Sequence, residues 1–151
     1  AISMARFYIK GTALGASLKN KKFLVIDDEP LILDIVKTVI TANGGIADGK
    51  RHANNIIEIL REKSYDLIIL DRYIGDVDGI TVLKKIKNTD FINSVPVIML
   101  TGESEKQEIV KSIQAGARGY VVKPFKPNEL MQQIDKVLSP TSKSGNFQVD
   151  L

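Results

Sequence analysis

The sequence predicts an α/β domain built on a five-stranded parallel sheet with helices on both faces. Five short apolar runs alternate along the chain with five segments of helical spacing. The runs are continuous rather than alternating with polar residues, which is typical of strands buried on both faces. Strict alternation of strand and helix requires right-handed crossovers, so the fold class is a doubly wound parallel sheet.

The elements follow one another in a regular order. The apolar runs lie at 23–26, 46–50 (the weakest), 65–70, 95–100 and 119–122. Apolar stripes at helical spacing separate or follow them: Leu31, Ile32, Ile35, Val36, Val39 and Ile40; Ile56, Ile59 and Leu60; Ile80, Leu83 and Ile86; Ile109, Val110 and Ile113; Leu130, Ile134 and Val137. Ser104 and Gln107 form a capping box before the fourth helix, and Pro127 suits the first turn of the fifth.

The flanks differ from this regular part. We predict a leader over residues 1–20, whose first three residues before Met4 are interpreted as a cloning remnant or an extension, and a domain over 21–138. Residues 139–151 are predicted to be a polar tail or a truncated linker.

The net charge of +3 has an uneven distribution. Residues 1–22 carry five basic side chains and no acid, whereas 23–138 carry 15 basic and 17 acidic ones. We therefore expect no direct nucleic-acid binding by the folded part. No apolar run reaches the ~18 residues of a membrane span, and cysteine is absent, which fits a cytoplasmic protein without membrane contact.

Polar side chains stand where the predicted strands end. Asp27 and Asp28 follow strand 1, Asp71 follows strand 3, Thr101 follows strand 4 and Lys123 follows strand 5. Because the carboxyl ends of parallel strands share one edge of the sheet, we expect these groups to converge there. The strand order 2-1-3-4-5 puts strands 1 and 3 side by side, so the three aspartates would share a pocket.

Such a pocket favours a divalent cation. Two carboxylates ~4 Å apart repel by roughly 4 kcal/mol at an effective dielectric near 20. A hard cation relieves this repulsion, and oxygen ligands favour Mg²⁺ or Mn²⁺. With a lysine and a hydroxyl beside it, the set suits in-line phosphoryl transfer to a carboxylate.

The ordered set resembles the receiver domain of bacterial two-component response regulators over about residues 21–138. The matching motifs are Val25-Ile26-Asp27-Asp28-Glu29-Pro30, Asp71 with Asp78-Gly79, Leu100-Thr101-Gly102, and Lys123-Pro124-Phe125. The resemblance implies a flavodoxin-like fold. It also implies that a sensor histidine kinase or a phosphotransfer protein phosphorylates Asp71, which later loses the phosphoryl group by slow self-dephosphorylation.

The same resemblance implies the roles of individual residues. Asp27, Asp28, Asp71 and the backbone carbonyl of Tyr73 would hold Mg²⁺ (or Mn²⁺). Two further groups, Lys123 and Thr101, would stabilise the phosphoryl group, and the peptide bond before Pro124 would be cis.

A switch is implied as well. Thr101 and Tyr120 would move together and change the face formed by helix 4, strand 5 and helix 5, a candidate surface for an output partner or a homodimer. A Tyr120 that packs without switching remains an alternative. By family analogy, Tyr73 and Glu103 would tune the lifetime of the phosphoryl group.

The resemblance implies a signalling domain that catalyses only its own phosphorylation and dephosphorylation, rather than an enzyme acting on other substrates. Two other interpretations compete with this one. A phosphatase of the haloacid-dehalogenase type also uses an aspartate and Mg²⁺, but it needs Asp-x-Asp-x-Thr, and this chain has Asp27-Asp28-Glu29-Pro30-Leu31. A degenerate interaction domain that is never phosphorylated is disfavoured by the complete set of acids, Thr101 and Lys123.

Overall fold

A computed structural model describes residues 17–102 and 106–139 as a five-stranded parallel sheet flanked by helices. The strands are β1 Lys22–Ile26, β2 Ile46–Lys50, β3 Leu67–Asp71, β4 Val97–Thr101 and β5 Gly119–Val122. Their order is β2-β1-β3-β4-β5, and every neighbouring pair is parallel. The predicted fold class and strand order are confirmed.

Five helices connect or follow the strands. They are α1 Pro30–Ala42, α2 Ile56–Glu62, α3 Gly79–Lys87, α4 Lys106–Gln114 and α5 Pro127–Leu138. Successive side chains of a strand point to opposite faces of the sheet. Phe23 and Val25 of β1 therefore pack with α1 and α5, whereas Leu24 and Ile26 pack with α2 and α3. This two-sided core explains why the strands are continuous apolar runs.

The ends of the helices follow from local sequence. Pro30 and Pro127 occupy the first turn of α1 and α5, where a missing N–H costs no hydrogen bond. Asp78 caps α3, because its carboxylate accepts a hydrogen bond from the Ile80 amide at 2.8 Å. Ser104, the first residue of the predicted capping box, lies outside the described residues.

Three details differ from the sequence prediction. Leu18, inside the predicted leader, is 1% exposed and packs in the core, so the folded part begins before residue 21. Leu31 of the predicted α1 stripe is exposed. Asp71 and Thr101 are the last residues of β3 and β4 rather than the first residues after them.

A short antiparallel ladder that the sequence did not predict follows β3. Tyr73–Ile74 pairs with Val77–Asp78 around a turn in which Gly75 has φ +60, a conformation that favours glycine. The Gly79 amide then donates a hydrogen bond to the Arg72 carbonyl at 2.7 Å. Backbone hydrogen bonds within the loop after Asp71 therefore hold its two arms together.

Among the described residues, no helix is long and apolar enough to cross a membrane.

Candidate metal site at the carboxyl edge of the sheet

Three carboxylates meet at the carboxyl ends of β1 and β3. Asp27, Asp28 and Asp71 each offer an oxygen within 4.8 Å of the others. Asp27 is fully buried and Asp71 is 5% exposed, because both stand where neighbouring central strands end. The predicted convergence of these side chains is therefore present in the structure.

Lys123 provides the positive charge of the site. Its Nζ lies 2.8 Å from Asp27 Oδ2, 3.1 Å from Asp71 Oδ1 and 3.2 Å from Glu29 Oε1. Burial lowers the pKa of Lys123, but the contacts with Asp27 and Asp71 outweigh burial and raise that pKa above its usual value. The ammonium is therefore charged at neutral pH. Sequence reasoning missed Glu29, whose only signal was its place beside the acid pair.

One lysine does not balance the acids of this site. Burial and the negative charge of Asp27 raise the pKa of Asp71 to about 6, although Lys123 acts in the opposite direction. A raised pKa means that the ionised form of Asp71 is disfavoured where it stands. Additional positive charge beside Asp71 would remove that penalty.

The ligand set fits a hard divalent cation. Asp27 Oδ2 is buried, and no donor within the described ranges makes a hydrogen bond of good geometry to it, although the Lys123 ammonium lies nearby. Asp28 Oδ2 accepts a hydrogen bond from the Gly75 amide at 3.1 Å, which orients that carboxylate. An under-coordinated buried oxygen within a group of carboxylates is the donor chemistry that Mg²⁺ or Mn²⁺ prefers.

Thr101 and Lys123 are held next to each other by the sheet. Thr101 is buried at the end of β4, and its carbonyl accepts a hydrogen bond from the Lys123 amide at 2.7 Å. The Lys123–Pro124 peptide bond is cis, as the resemblance implied. Tyr120 lies in β5 opposite Met99, half-buried, on the strand that leads to this edge.

Of the two residues predicted to tune the phosphoryl lifetime, the structure describes Tyr73. The Tyr73 side chain is 52% exposed at the rim, and the Arg72 guanidinium lies 4.4 Å from the centroid of its ring. Glu103 lies outside the described residues. The roles of Tyr73, as a tuner and as a carbonyl ligand, and of Glu103 remain predictions.

Sequence reasoning also missed Arg72, the residue after Asp71. Its side chain is 7% exposed and pairs with the carboxylates of Asp78 and Glu108. The available signal was an arginine directly after an apolar strand that ends in Asp71, where a buried and unpaired charge would be costly. Its acidic partners lie 6 and 36 residues further along the chain, so the sequence does not identify them.

A substitution at Asp71 tests the electrostatic description. Because the ionised carboxylate is disfavoured, Asp71→Asn is expected to raise the free energy of unfolding of the metal-free chain by about 1–2 kcal/mol near neutral pH, after allowance for solvent screening. The gain should shrink as the pH falls through about 6 and vanish below 3.8, since the folded and then the unfolded carboxyl take up the proton. Urea unfolding with a chelator measures this.

Asp76→Asn is the matched control, because Asp76 is an exposed acid in the same loop. It should change stability by less than ~0.5 kcal/mol. A loss of stability in Asp71→Asn at neutral pH, or a gain that does not change with pH, would contradict the description.

The fold and the acidic site together define a class of α/β domains with a carboxylate cluster and a lysine at one sheet edge. The family model described as "Response regulator receiver domain" matches residues 23–135. This chain belongs to the response regulator receiver domain family.

Relatives and solved structures agree with this assignment. Chemotaxis protein CheY-3 of Vibrio cholerae is 30% identical over 122 residues, covering 79% of this chain and 92% of the relative. The phosphate regulon transcriptional regulatory protein PhoB of Escherichia coli is 32% identical over 118 residues, covering 78% of this chain and 52% of the relative. The chain therefore corresponds to about half of PhoB.

Two solved structures show the likeness of fold. Vibrio cholerae CheY4 superimposes with a TM-score of 0.73 at 24% identity, covering 79% of this chain and 99% of that chain, which shows the fold alone. Response regulator DrrB of Thermotoga maritima superimposes with a TM-score of 0.70 at 28% identity, covering 79% of this chain and 52% of that chain.

Proposed function

We propose that Asp71 is the phosphoacceptor of a two-component receiver and that its phosphorylation depends on Mg²⁺ or Mn²⁺. A sensor histidine kinase or a phosphotransfer protein is the proposed donor. The observation that carries the proposal is the meeting of Asp27, Asp28 and Asp71 with the Lys123 ammonium at one edge of the sheet. A turn or a helix cap would not require these four charged side chains to lie together.

The chemistry is assigned to residues of this chain. An Asp71 carboxylate oxygen attacks the phosphorus of a phosphohistidine, the new O–P bond forms as the P–N bond breaks, and the imidazole leaves. Lys123 neutralises charge on a phosphoryl oxygen, and the Thr101 hydroxyl donates a hydrogen bond to another. A cation held by Asp27, Asp28, Asp71 and the Tyr73 carbonyl would supply further charge neutralisation.

The output is proposed to be conformational rather than a chemical product. Conversion of the Asp71 carboxylate to an acyl phosphate replaces one negative charge by about two and brings three acceptor oxygens beside Thr101, which biases a two-state element. Movement of Thr101 and Tyr120 would change the face formed by α4, β5 and α5, where an output partner or a second copy would bind. Water then hydrolyses the acyl phosphate slowly, with Tyr73 and Glu103 setting the rate. A cytoplasmic location belongs to this proposal.

Two alternatives are less well supported. A phosphatase would turn over phosphomonoesters repeatedly, and the Asp-x-Asp-x-Thr pattern that such an enzyme needs after β1 is absent from the sequence. A domain that is never phosphorylated would have no need for a complete acidic site with its lysine.

Labelling with acetyl phosphate tests the proposal. We expect a mass increase of one phosphoryl group per chain in the presence of Mg²⁺ and little or none with a chelator. Asp71→Asn should abolish the labelling, whereas Asp76→Asn, which changes an exposed acid in the same loop, should leave it intact. Labelling that survives Asp71→Asn would overturn the acceptor assignment, and sustained phosphomonoester turnover would favour the enzyme.

A further inference from the structure

One buried guanidinium joins the loop after Asp71 to α4. The Arg72 Nε and Nη2 atoms lie 3.3 and 3.1 Å from Glu108 Oε2, and Nη1 pairs with the Asp78 carboxylate that caps α3. The exposed fractions of the Arg72 and Glu108 side chains are 7% and 18%. Charge-assisted hydrogen bonds shielded from water are stronger than exposed ones. We call Arg72, Asp78 and Glu108 the Arg72 cluster.

Both ends of this contact are well defined. The Arg72 amide donates a hydrogen bond to the Leu100 carbonyl at 2.7 Å, and the Arg72 carbonyl accepts one from the Gly79 amide at 2.7 Å. Contacts with Lys111, and next with Arg72, hold the pKa of Glu108 below its ordinary value, so this carboxylate is ionised. The backbone of Arg72 is therefore held by two hydrogen bonds, and its guanidinium pairs with a charged carboxylate.

Apart from this contact, α4 is only weakly anchored. Of its nine residues only Ile109 and Ser112 are buried, whereas α3, also of nine residues, buries five. A cavity of about 400 Å³ lies between α3 and α4, with Arg72 among its lining side chains. Because so little of α4 is buried, we expect the ion pair with Glu108 to contribute substantially to holding α4 against the rest of the domain.

The position of the cluster connects it with the acceptor. Arg72 follows Asp71 directly, and α4 begins five residues after Thr101. The Arg72 amide is hydrogen-bonded to the carbonyl of Leu100, the residue before Thr101, so a displacement of Thr101 would act on the backbone that positions Arg72. In the structure the Arg72–Glu108 contact is formed.

We propose that the Arg72–Glu108 ion pair holds α4 against the acceptor loop in the unphosphorylated chain and thereby opposes the rearrangement that follows phosphorylation. This inference rests on the proposed function and assigns a regulatory element to the same site. Arg72 and Glu108 are positioning residues, since neither is among the groups assigned to the reacting atoms. By linkage, weakening the contact favours any ligand that prefers the rearranged state.

Glu108→Ala tests the proposal, because alanine favours the helix and the substitution removes the carboxylate that pairs with Arg72, together with its γ-methylene. Lys111→Ala is the matched control, since it removes the exposed partner of Glu108, three residues away on the same helix, and leaves the Arg72 contact in place. Hydrogen–deuterium exchange of the amides of residues 106–114 reports the freedom of α4. Titration with beryllium fluoride and Mg²⁺, an acyl phosphate analogue, reports the switch.

In Glu108→Ala we expect exchange in α4 to rise about 10-fold, with unchanged exchange in β1 and β3, and apparent beryllium fluoride affinity to rise about 3- to 10-fold. Lys111→Ala should stay within about 2-fold on both measures. Unchanged exchange in α4, acceleration across the whole domain, or unaltered affinity would overturn the proposal. If the unsubstituted chain bound no beryllium fluoride, the proposed function would fail, whereas α4 exchange would still decide whether the ion pair anchors that helix.

Discussion

Gly79→Ala is expected to lower the free energy of unfolding by about 3 kcal/mol or more, one of the two largest effects predicted for this chain. A Cβ on Gly79 would overlap the backbone carbonyl oxygen of Asp71 and lie 2.9 Å from that of Arg72. Backbone atoms cannot move aside as the end of a flexible side chain can. The clash would push apart the start of α3 and the end of β3, which carries the proposed acceptor.

Urea unfolding of Gly79→Ala and of the unsubstituted chain measures this loss. Gly102→Ala is the matched control, because a Cβ there would meet nothing within 4 Å, and it should change stability by less than ~0.5 kcal/mol. Equal stability of the two variants would show that the loop after Asp71 adjusts freely. In that case the close contact between Gly79 and Asp71 would not constrain the site.

Much of the fold was predictable because burial leaves a pattern in the sequence. Strands covered on both faces must be apolar throughout, so β1, β3 and β4 are visible as runs, and the helices between them as stripes. The acidic site was predictable for a topological reason: Asp27, Asp28 and Asp71 each stand where a parallel strand ends, and parallel strands end at one edge. The cis bond before Pro124 followed only from the family resemblance.

The parts that sequence did not predict depend on distances across the fold. The short ladder around Gly75 contains too few residues to show a period. Arg72 and Glu108 are 36 residues apart, and an arginine next to a strand gives no indication of which acid it will meet. Glu29 and Lys123 are 94 residues apart. Leu31 matched the helical stripe but is exposed, because helical spacing alone does not say which end of a stripe the rest of the fold covers.

Lys123→Met is expected to lower the free energy of unfolding by about 3 kcal/mol near neutral pH when no divalent metal is present. Methionine matches the length of the aliphatic chain but carries no charge. Asp27, which is fully buried, would lose the ammonium that lies 2.8 Å from its Oδ2. The pKa of Asp71, already about 6, would rise further, since Lys123 is the group that lowers it.

Added Mg²⁺ should reverse much of this loss if the three carboxylates form a metal site. A cation that binds the folded chain and not the unfolded chain stabilises the folded chain by mass action. Without the lysine the carboxylates repel one another more strongly, so a bound cation relieves a larger repulsion. We therefore expect Mg²⁺ to raise the unfolding midpoint of Lys123→Met more than that of the unsubstituted chain.

The matched control is Lys126→Met, at an exposed lysine three residues away. This variant should behave like the unsubstituted chain with and without metal. A Lys123→Met variant as stable as this control, or one that gains no more from Mg²⁺ than the unsubstituted chain, would show that Lys123 and a cation do not balance the same carboxylates.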